Sequence, residues 1–293
     1  MRFLGARDRA ACQSRTREMA TFLFWNINRN NVIDEIVTVC HDNSVDILVL
    51  AESYIPDESL LLALNKGKTR KYLAPFNPSD YLSFFIRYPE DSYKLISDEH
   101  RVAIRHILPP IGQDILLIAV HLPSKMHMTE ADQLLQATRL SKTIKEAEKL
   151  IGHTNSLILG DLNMNPFEFG VVAADGLHGV MDKQIALKGN RTVQGISQPF
   201  FYNPMWSLIG DASPGPSGTY YYASGNVSYF WNTFDQVLLR PSLLKYYSDE
   251  NLKVIDAIGH RKLVRSGRID TKFSDHLPIV ITLDLEKEDG YDS

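Results

Sequence analysis

The apolar residues of this chain fall into short unbroken runs, and each run is closed by a polar side chain. Thr21, Phe22, Leu23, Phe24 and Trp25 predict a strand that stops at Asn26, and Ile47, Leu48, Val49 and Leu50 predict another that stops at Ala51-Glu52-Ser53. Residues 115–120 are the most apolar run and lead into His121, while Ser156, Leu157, Ile158 and Leu159 lead into Gly160-Asp161-Leu162-Asn163. Runs of this length, apolar at every position, are the pattern of strands buried on both faces. Asn30 and Asn31 can cap a helix between the first two strands, with Ile33, Ile36, Val37 and Cys40 at helical spacing. A strand, a helix and a second buried strand read as a right-handed crossover unit. Thr129 is placed to cap a longer helix whose face carries Leu134, Ala137, Leu140, Ile144, Ala147 and Ile151, stopped at Gly152.

Elsewhere the pattern changes. Residues 71–107 hold short alternating segments (81–87, 93–96 and 101–107) separated by Pro and Asp turns, which predicts an antiparallel meander. Strands are expected from Phe234 through Leu239 and from Leu277 through Leu283, the second preceded by Ser274-Asp275-His276. Residues 189–232 are rich in Gly, Pro, Ser and aromatics, including Phe200-Phe201-Tyr202, Trp206, Tyr220-Tyr221-Tyr222 and Tyr229-Phe230-Trp231. So aromatic a stretch reads as ordered loops, serving either as a specificity surface or as a cluster that packs beneath the loops.

Composition narrows the class. The chain has 293 residues, 44% hydrophobic and 23% charged, enough for a sizeable core. Its net charge of -4 supplies no global basic field, so nucleic-acid binding requires a local patch or a bound cation. Arg139, Lys142, Lys145 and Lys149 along one helix face are either such a patch or a solvated surface. Cys12 and Cys40 give no disulfide framework and point to a reducing compartment. No run reaches transmembrane length, and the Arg-rich residues 1–20 lack the continuous apolar core of a secretory signal. The expectation is a disordered arm over residues 1–18, one catalytic domain over residues 19–285, an acidic tail over residues 286–293 and a cytoplasmic location.

The polar residues at the strand ends carry the chemistry. Asp161 and Asn163 are two apart, so an extended chain points them to one side, where they can hold a metal, a phosphoryl oxygen or a water. Asn26, Glu52, His121 and Asp161 follow their strands, whereas Asp235 and Asp275-His276 stand at or before the start of theirs. In antiparallel neighbours the end of one strand lies beside the start of the next, so all of them can meet on one sheet rim.

The ordered set Trp25-Asn26, Glu52, His121, Gly160-Asp161-Leu162-Asn163, Asp235 and Ser274-Asp275-His276 resembles the endonuclease/exonuclease/phosphatase superfamily. That superfamily includes deoxyribonuclease I, abasic-site endonucleases, inositol polyphosphate phosphatases and sphingomyelinases. The resemblance implies an α/β four-layer sandwich, with two mixed, largely antiparallel β-sheets packed face to face and helices outside. It implies phosphoester hydrolysis with Mg²⁺ or Mn²⁺, with Glu52 as the main metal ligand and Asn26 and Asp275 nearby. His276, oriented by Asp235, would act at the phosphate, Asp161 would position or activate water, and Asn163 and His121 would hold phosphate oxygens. The sequence departs from many relatives at Asn28, Ala51 and Gln236, and Met164-Asn165-Pro166-Phe167-Glu168 is not the abasic-site continuation. The leading expectation is a nuclease-type phosphodiesterase. The alternatives are a hydrolase of lipid, inositol phosphate or nucleotide phosphoesters, and a catalytically silent binding module on the same scaffold.

Overall fold

The structure, a computed structural model, describes residues 19–286 except His100, Gly225 and Val227 and the side chain of His127. The expected arm at 1–18, with Cys12, and all of the acidic tail beyond Glu286 lie outside the described residues.

The first crossover forms as its pattern predicts. Strands β1 (Met19–Asn26) and β2 (Ile47–Ala51) pair in parallel, from Phe22 opposite Ile47 to Asn26 opposite Ala51. Helix α1 (Ile33–Asp42) connects them. Its N-cap is Val32, with no side-chain cap, so neither Asn30 nor Asn31 plays that part. Asn30 is instead held in a turn by the carbonyl of Ile27, and the helix enters on the buried Val32 with Asp34 and Glu35 at the positive end of its dipole. Helix α2 (Asp57–Asn65) follows β2 and buries Leu60 and Leu64 beside α1; its weak apolar periodicity left no clear mark in the sequence.

The predicted meander is divided between two sheets. Strand β3 (Leu82–Ile86) pairs antiparallel with β2, whereas β4 (Tyr93–Glu99) pairs with β5 (Val102–Ile107) in the other sheet. Alternation shows that one face is buried without showing which neighbour buries it. Leu82, Phe84 and Ile86 face the core between the sheets and meet Tyr93 there, so the turn at Pro89 carries the chain across that core.

The five-stranded sheet is completed by Ile279–Asp284, antiparallel to β1, and by Leu252–Val254 at its edge. In the seven-stranded sheet β4, β5, β6 (Ile115–His121) and β7 (Ser156–Asp161) lie side by side, followed by Asp235–Leu239, Phe201–Tyr202 and Gly179–Val180. Both sheets are mixed, because β1–β2 and β6–β7 are parallel within otherwise largely antiparallel pairings.

The sheets pack face to face. Phe22, Phe24 and Val49 from one meet Leu117, Ala119, Leu159 and Val237 from the other. The alternate residues Leu23, Trp25, Leu48 and Leu50 lie beneath α1 and α2, and Leu116, Ile118, Ile158 and Leu238 lie with α3 (Glu130–Ile151). Every strand in the middle therefore has two dry faces, which is why its sequence reads as one apolar run. The four-layer expectation holds. So does the expected start of α3: Thr129 accepts from the Asp132 N–H while the Asp132 carboxylate takes the Thr129 N–H, and Gly152 closes the helix at φ 81°. Among the described residues no helix is long and apolar enough to cross a membrane.

Candidate active site

Register alone assembles the first part of the site. In the β6–β7 pair His121 stands opposite Asp161, and in the next pair Asp161 stands opposite Asp235, so three polar residues form one row across three strands. Gly160 makes that row possible, since at φ 147° a Cβ there would come within 2.0 Å of the Val120 carbonyl oxygen. Beyond the strand, Asn163 adopts a left-handed φ of 49° and its N–H donates to Asp161 Oδ1 at 2.8 Å. The Asn163 side chain donates to the Leu122 carbonyl, and Gln133 of α3 donates to the Asn163 carbonyl.

The five-stranded sheet contributes the rest. Asn26, at the end of β1, directs its side-chain N–H groups to Glu52 Oε1 and to Asp161 Oδ2, each at 3.4 Å, and so links the sheets. Glu52 sits at φ 50°, held by the Arg29 N–H on its carbonyl. Non-glycine residues seldom adopt that conformation, and where the surroundings enforce it the site is often functional. Ser274 fixes the last segment: its hydroxyl donates to the Asn26 carbonyl and accepts the His276 N–H, while Trp25 Nε1 donates to the His276 carbonyl.

All the predicted residues converge. Asn26, Glu52, His121, Asp161, Asn163, Asp275 and His276 line one cleft of about 750 Å³, and Asp235 stands behind His276. His276 Nδ1 donates to Asp235 Oδ2 at 2.8 Å, and its Nε2 lies 3.9 Å from Asp161 Oδ2. Burial alone would discharge this imidazole, but the Asp235 and Asp161 carboxylates outweigh it and raise its pKa to about 10. Burial pushes the Asp161 carboxyl above the usual carboxylate range, a push that His276 opposes and Asp235 reinforces. The Glu52 carboxyl is held down near 2, chiefly by hydrogen bonding from His121.

Other residues of the cleft escaped the sequence reading. Arg101 lies beside His121, 3.4 Å from its Nδ1, and stacks at 4.2 Å on Tyr81. The β5–β6 hairpin could have revealed it, because Val102 opposite Val120 places Arg101 next to His121. Arg29 and Tyr54 come from loops and Lys125 from a single 3₁₀ turn, none with a sequence signal. The aromatic stretch divides. Phe200, Phe201 and Tyr202 are buried, whereas Tyr220, Tyr222 and Tyr229 line the cleft. Tyr220 leans on His276 with centroids 4.7 Å apart and stacks on Phe234. The basic face of α3 is not part of the cleft: Lys145 donates to Gln198, and Lys142 pairs with Glu146.

The donor set fits a hard divalent cation. Asp275 Oδ1 is buried without a hydrogen-bond partner among the described residues, and Glu52 adds a carboxylate that stays ionised. Asn26 turns its carbonyl toward its own loop, accepting the Asn28 N–H, so it offers oxygen to a metal only with its amide reversed. Asp161, Asp235 and His276 also cluster closely, with His276 Nδ1 committed to Asp235 and Nε2 turned toward Asp161.

A phosphoester-hydrolase class follows from the ancestry of this geometry. The Endonuclease/Exonuclease/phosphatase family profile matches residues 23–276, and the chain belongs to that family. Its fold is similar to that of a truncated Caenorhabditis elegans TDP2, with a TM-score of 0.51 and 16% identity, covering 91% of this chain and 97% of that one. Danio rerio (D. rerio) TDP2 complexed with single strand DNA product gives 0.50 and 17%, with coverage of 90% and 98%. An endonuclease/exonuclease/phosphatase family protein from Bacteroides thetaiotaomicron gives 0.52 and 12%, with coverage of 92% and 99%. At these identities the likeness is one of fold. Among curated proteins, none matches this chain in sequence.

Proposed function

We propose that the cleft hydrolyses phosphodiester bonds of nucleic acid, taking single-stranded or frayed segments, with Mg²⁺ or Mn²⁺ as cofactor. The observation that carries this reading is the buried Asp235–His276–Asp161 line lying beneath exposed aromatic side chains in one cleft. Glu52, Asp275 and a reversed Asn26 amide would hold the ion, which when bound supplies positive charge to a phosphate oxygen. Asp161, its Oδ1 tied to Asn163, takes the proton of the attacking water at Oδ2; its raised pKa makes it a better base than a surface carboxylate. His276, kept protonated by its two carboxylates, offers Nε2–H to the negative charge that builds on phosphate, while the P–O bond to the departing oxygen breaks and that oxygen takes its proton from solvent. Asn163 and His121 would hold phosphate oxygens, His121 by exchanging its contact with Glu52 for them while Arg101 stands beside it.

Two features favour a nucleic-acid strand. Tyr222 and Tyr229 are exposed aromatic side chains on which bases can stack, and Arg29, Arg101 and Lys125 bring cations to a lining that also holds Glu52, Asp80, Asp161 and Asp275, with Arg29 paired to Glu52 and Lys125 to Glu168. The cleft volume suits a few nucleotides better than the flank of a long duplex. The structural relative that carries a single-strand DNA product supports the same choice. The test is turnover of labelled single-stranded DNA, duplex DNA, RNA and an aryl phosphate monoester, each with Mg²⁺, with Mn²⁺ and with EDTA. Divalent-dependent cleavage that favours single-stranded DNA or RNA is expected; hydrolysis of the monoester alone, or of nothing, overturns the proposal.

A further inference from the structure

A second cluster of metal-ligating side chains lies at the other end of the strands that build the cleft. His106 is near the end of β5, Asp114 immediately precedes β6, and His153 stands three residues before β7. Strands β6 and β7 carry His121 and Asp161 at their opposite ends, and seven residues of strand span about 20 Å. The cluster therefore has no part in the cleft.

Its geometry is that of a metal site. His106 Nε2 lies 3.0 Å from Asp114 Oδ2 and 3.5 Å from His153 Nε2, and the three ligand atoms all fall within 4.8 Å of one another. Nitrogen and oxygen ligands bound tetrahedrally to Zn²⁺ at 2.0–2.2 Å stand about 3.3 Å apart. The imidazoles are tilted by 56°, with centroids 5.4 Å apart, so they converge and do not stack flat. The Asn155 side chain braces the loop by donating to the Asp114 carbonyl, and its N–H donates to His153 Nδ1. All three residues are partly exposed, so an ion can reach them from solvent.

The protons of the group conflict. The Asn155 N–H on His153 Nδ1 places the His153 proton on Nε2, which faces His106 Nε2. If His106 also carries its proton on Nε2, to donate to Asp114, two N–H groups oppose each other. If it does not, a lone pair faces the carboxylate. No neutral arrangement of the trio satisfies every contact.

We propose that His106, Asp114 and His153 form a second metal site, for a borderline transition-metal dication such as Zn²⁺, with water completing the coordination. An ion there accepts the three converging lone pairs, at the cost of moving the His153 proton to Nδ1 and releasing the Asn155 N–H to solvent. It ties the end of β5 to the starts of β6 and β7, and so acts as a staple on the seven-stranded sheet. Its donors include two imidazoles, which separates it from the oxygen-rich cleft suited to Mg²⁺.

The test is calorimetric titration of Zn²⁺ into the metal-stripped full chain with Mg²⁺ in excess, alongside melting with and without Zn²⁺. Wild type and His276→Ala should both bind Zn²⁺ here and melt higher with it. His106→Gln and His153→Gln should each lose one Zn²⁺ equivalent, or bind it at least tenfold more weakly, and lose the melting shift. Turnover of these two variants in Mg²⁺ alone should match wild type. Asp114→Asn, at a partly exposed position, serves as a third variant should either histidine change unfold the protein in metal-free buffer. Equal Zn²⁺ stoichiometry and affinity in wild type and the folded variants, or Zn²⁺ binding that disappears with His276→Ala alone, overturns the proposal.

Discussion

Asp161 and Tyr222 line the same cleft by opposite means. Asp161 is 1% exposed, fixed by strand register between His121 and Asp235 and bonded to Asn163 and Asn26. Tyr222 is 50% exposed on a two-stranded ribbon, Tyr220–Tyr222 with Phe230–Asn232, that joins neither large sheet. The floor of the cleft is therefore rigid, polar and desolvated, the setting in which fixed charges act on a transition state at full strength. The wall is aromatic, half wet and carried on this ribbon and the loop that joins its strands, the setting in which contacts sort ligands and adapt to them. Under the proposed function the chemical step falls to the floor and the choice of substrate to the wall, so substitutions on each side should separate kcat from KM.

The largest effect belongs to the floor. His276→Ala removes the cation held between Asp235 and Asp161, and kcat should fall by about 10²–10⁴-fold while the far-UV spectrum stays native. A variant that kept most of its rate would move the chemistry away from this line. Asp235→Asn is a finer probe of the same contact. Because the two carboxylates raise His276 to about 10, the protonated form persists through neutral pH and turnover should decline only as pH rises toward that value. Stability follows the same sign: the favourable contribution of His276 is complete below the ordinary histidine pKa of about 6.5 and is lost as pH rises through the raised one. Removing the Asp235 charge should shift the alkaline limb of the kcat profile to lower pH. An unmoved limb would mean that His276 does not set it.

The floor was legible in the sequence residue by residue, and the wall only as a stretch that read equally as a specificity surface or a packed cluster, for one physical reason. Asn26, Glu52, His121 and Asp161 each end an apolar run, and a run buried on both faces fixes where its strand stops. Order and register then do the rest. The same logic failed between residues 71 and 107, where alternation marked β3, β4 and β5 but could not say that β3 belongs to the other sheet. It also failed to separate Phe201, buried with the seven-stranded sheet, from Tyr222 twenty-one residues later, because the two differ in tertiary neighbours and not in local pattern. Arg101 lies between these cases. It is visible once the β5–β6 hairpin is in register and invisible from its own residue type.

The wall should respond in binding. Tyr222→Ala and Tyr229→Ala remove exposed rings, and stacking of a base on an aromatic side chain is worth about 1–3 kcal/mol. Each change should raise KM for a single-stranded substrate about tenfold with kcat nearly unchanged. An equal loss in kcat would show that the wall takes part in the chemical step and would erase the distinction. Tyr220→Ala is predicted to behave differently from its neighbours, lowering kcat as well, because its ring packs on His276.

The smallest effect asks whether anything outside the strands positions the floor. Helix α3 reaches it through Gln133, whose side chain donates to the Asn163 carbonyl, and the start of that helix is fixed by the Thr129–Asp132 capping box. Removing an N-cap hydroxyl costs about 1 kcal/mol. Thr129→Ala should lower stability by about that amount in urea denaturation, read at an unchanged m-value. Yet kcat should stay within about twofold of wild type, since Asn163 also bonds to Leu122 and Asp161, both in or beside the seven-stranded sheet. A fall in kcat out of proportion to the lost stability would place part of the alignment of Asp161 on the helix, and the floor would then owe its geometry to more than strand register.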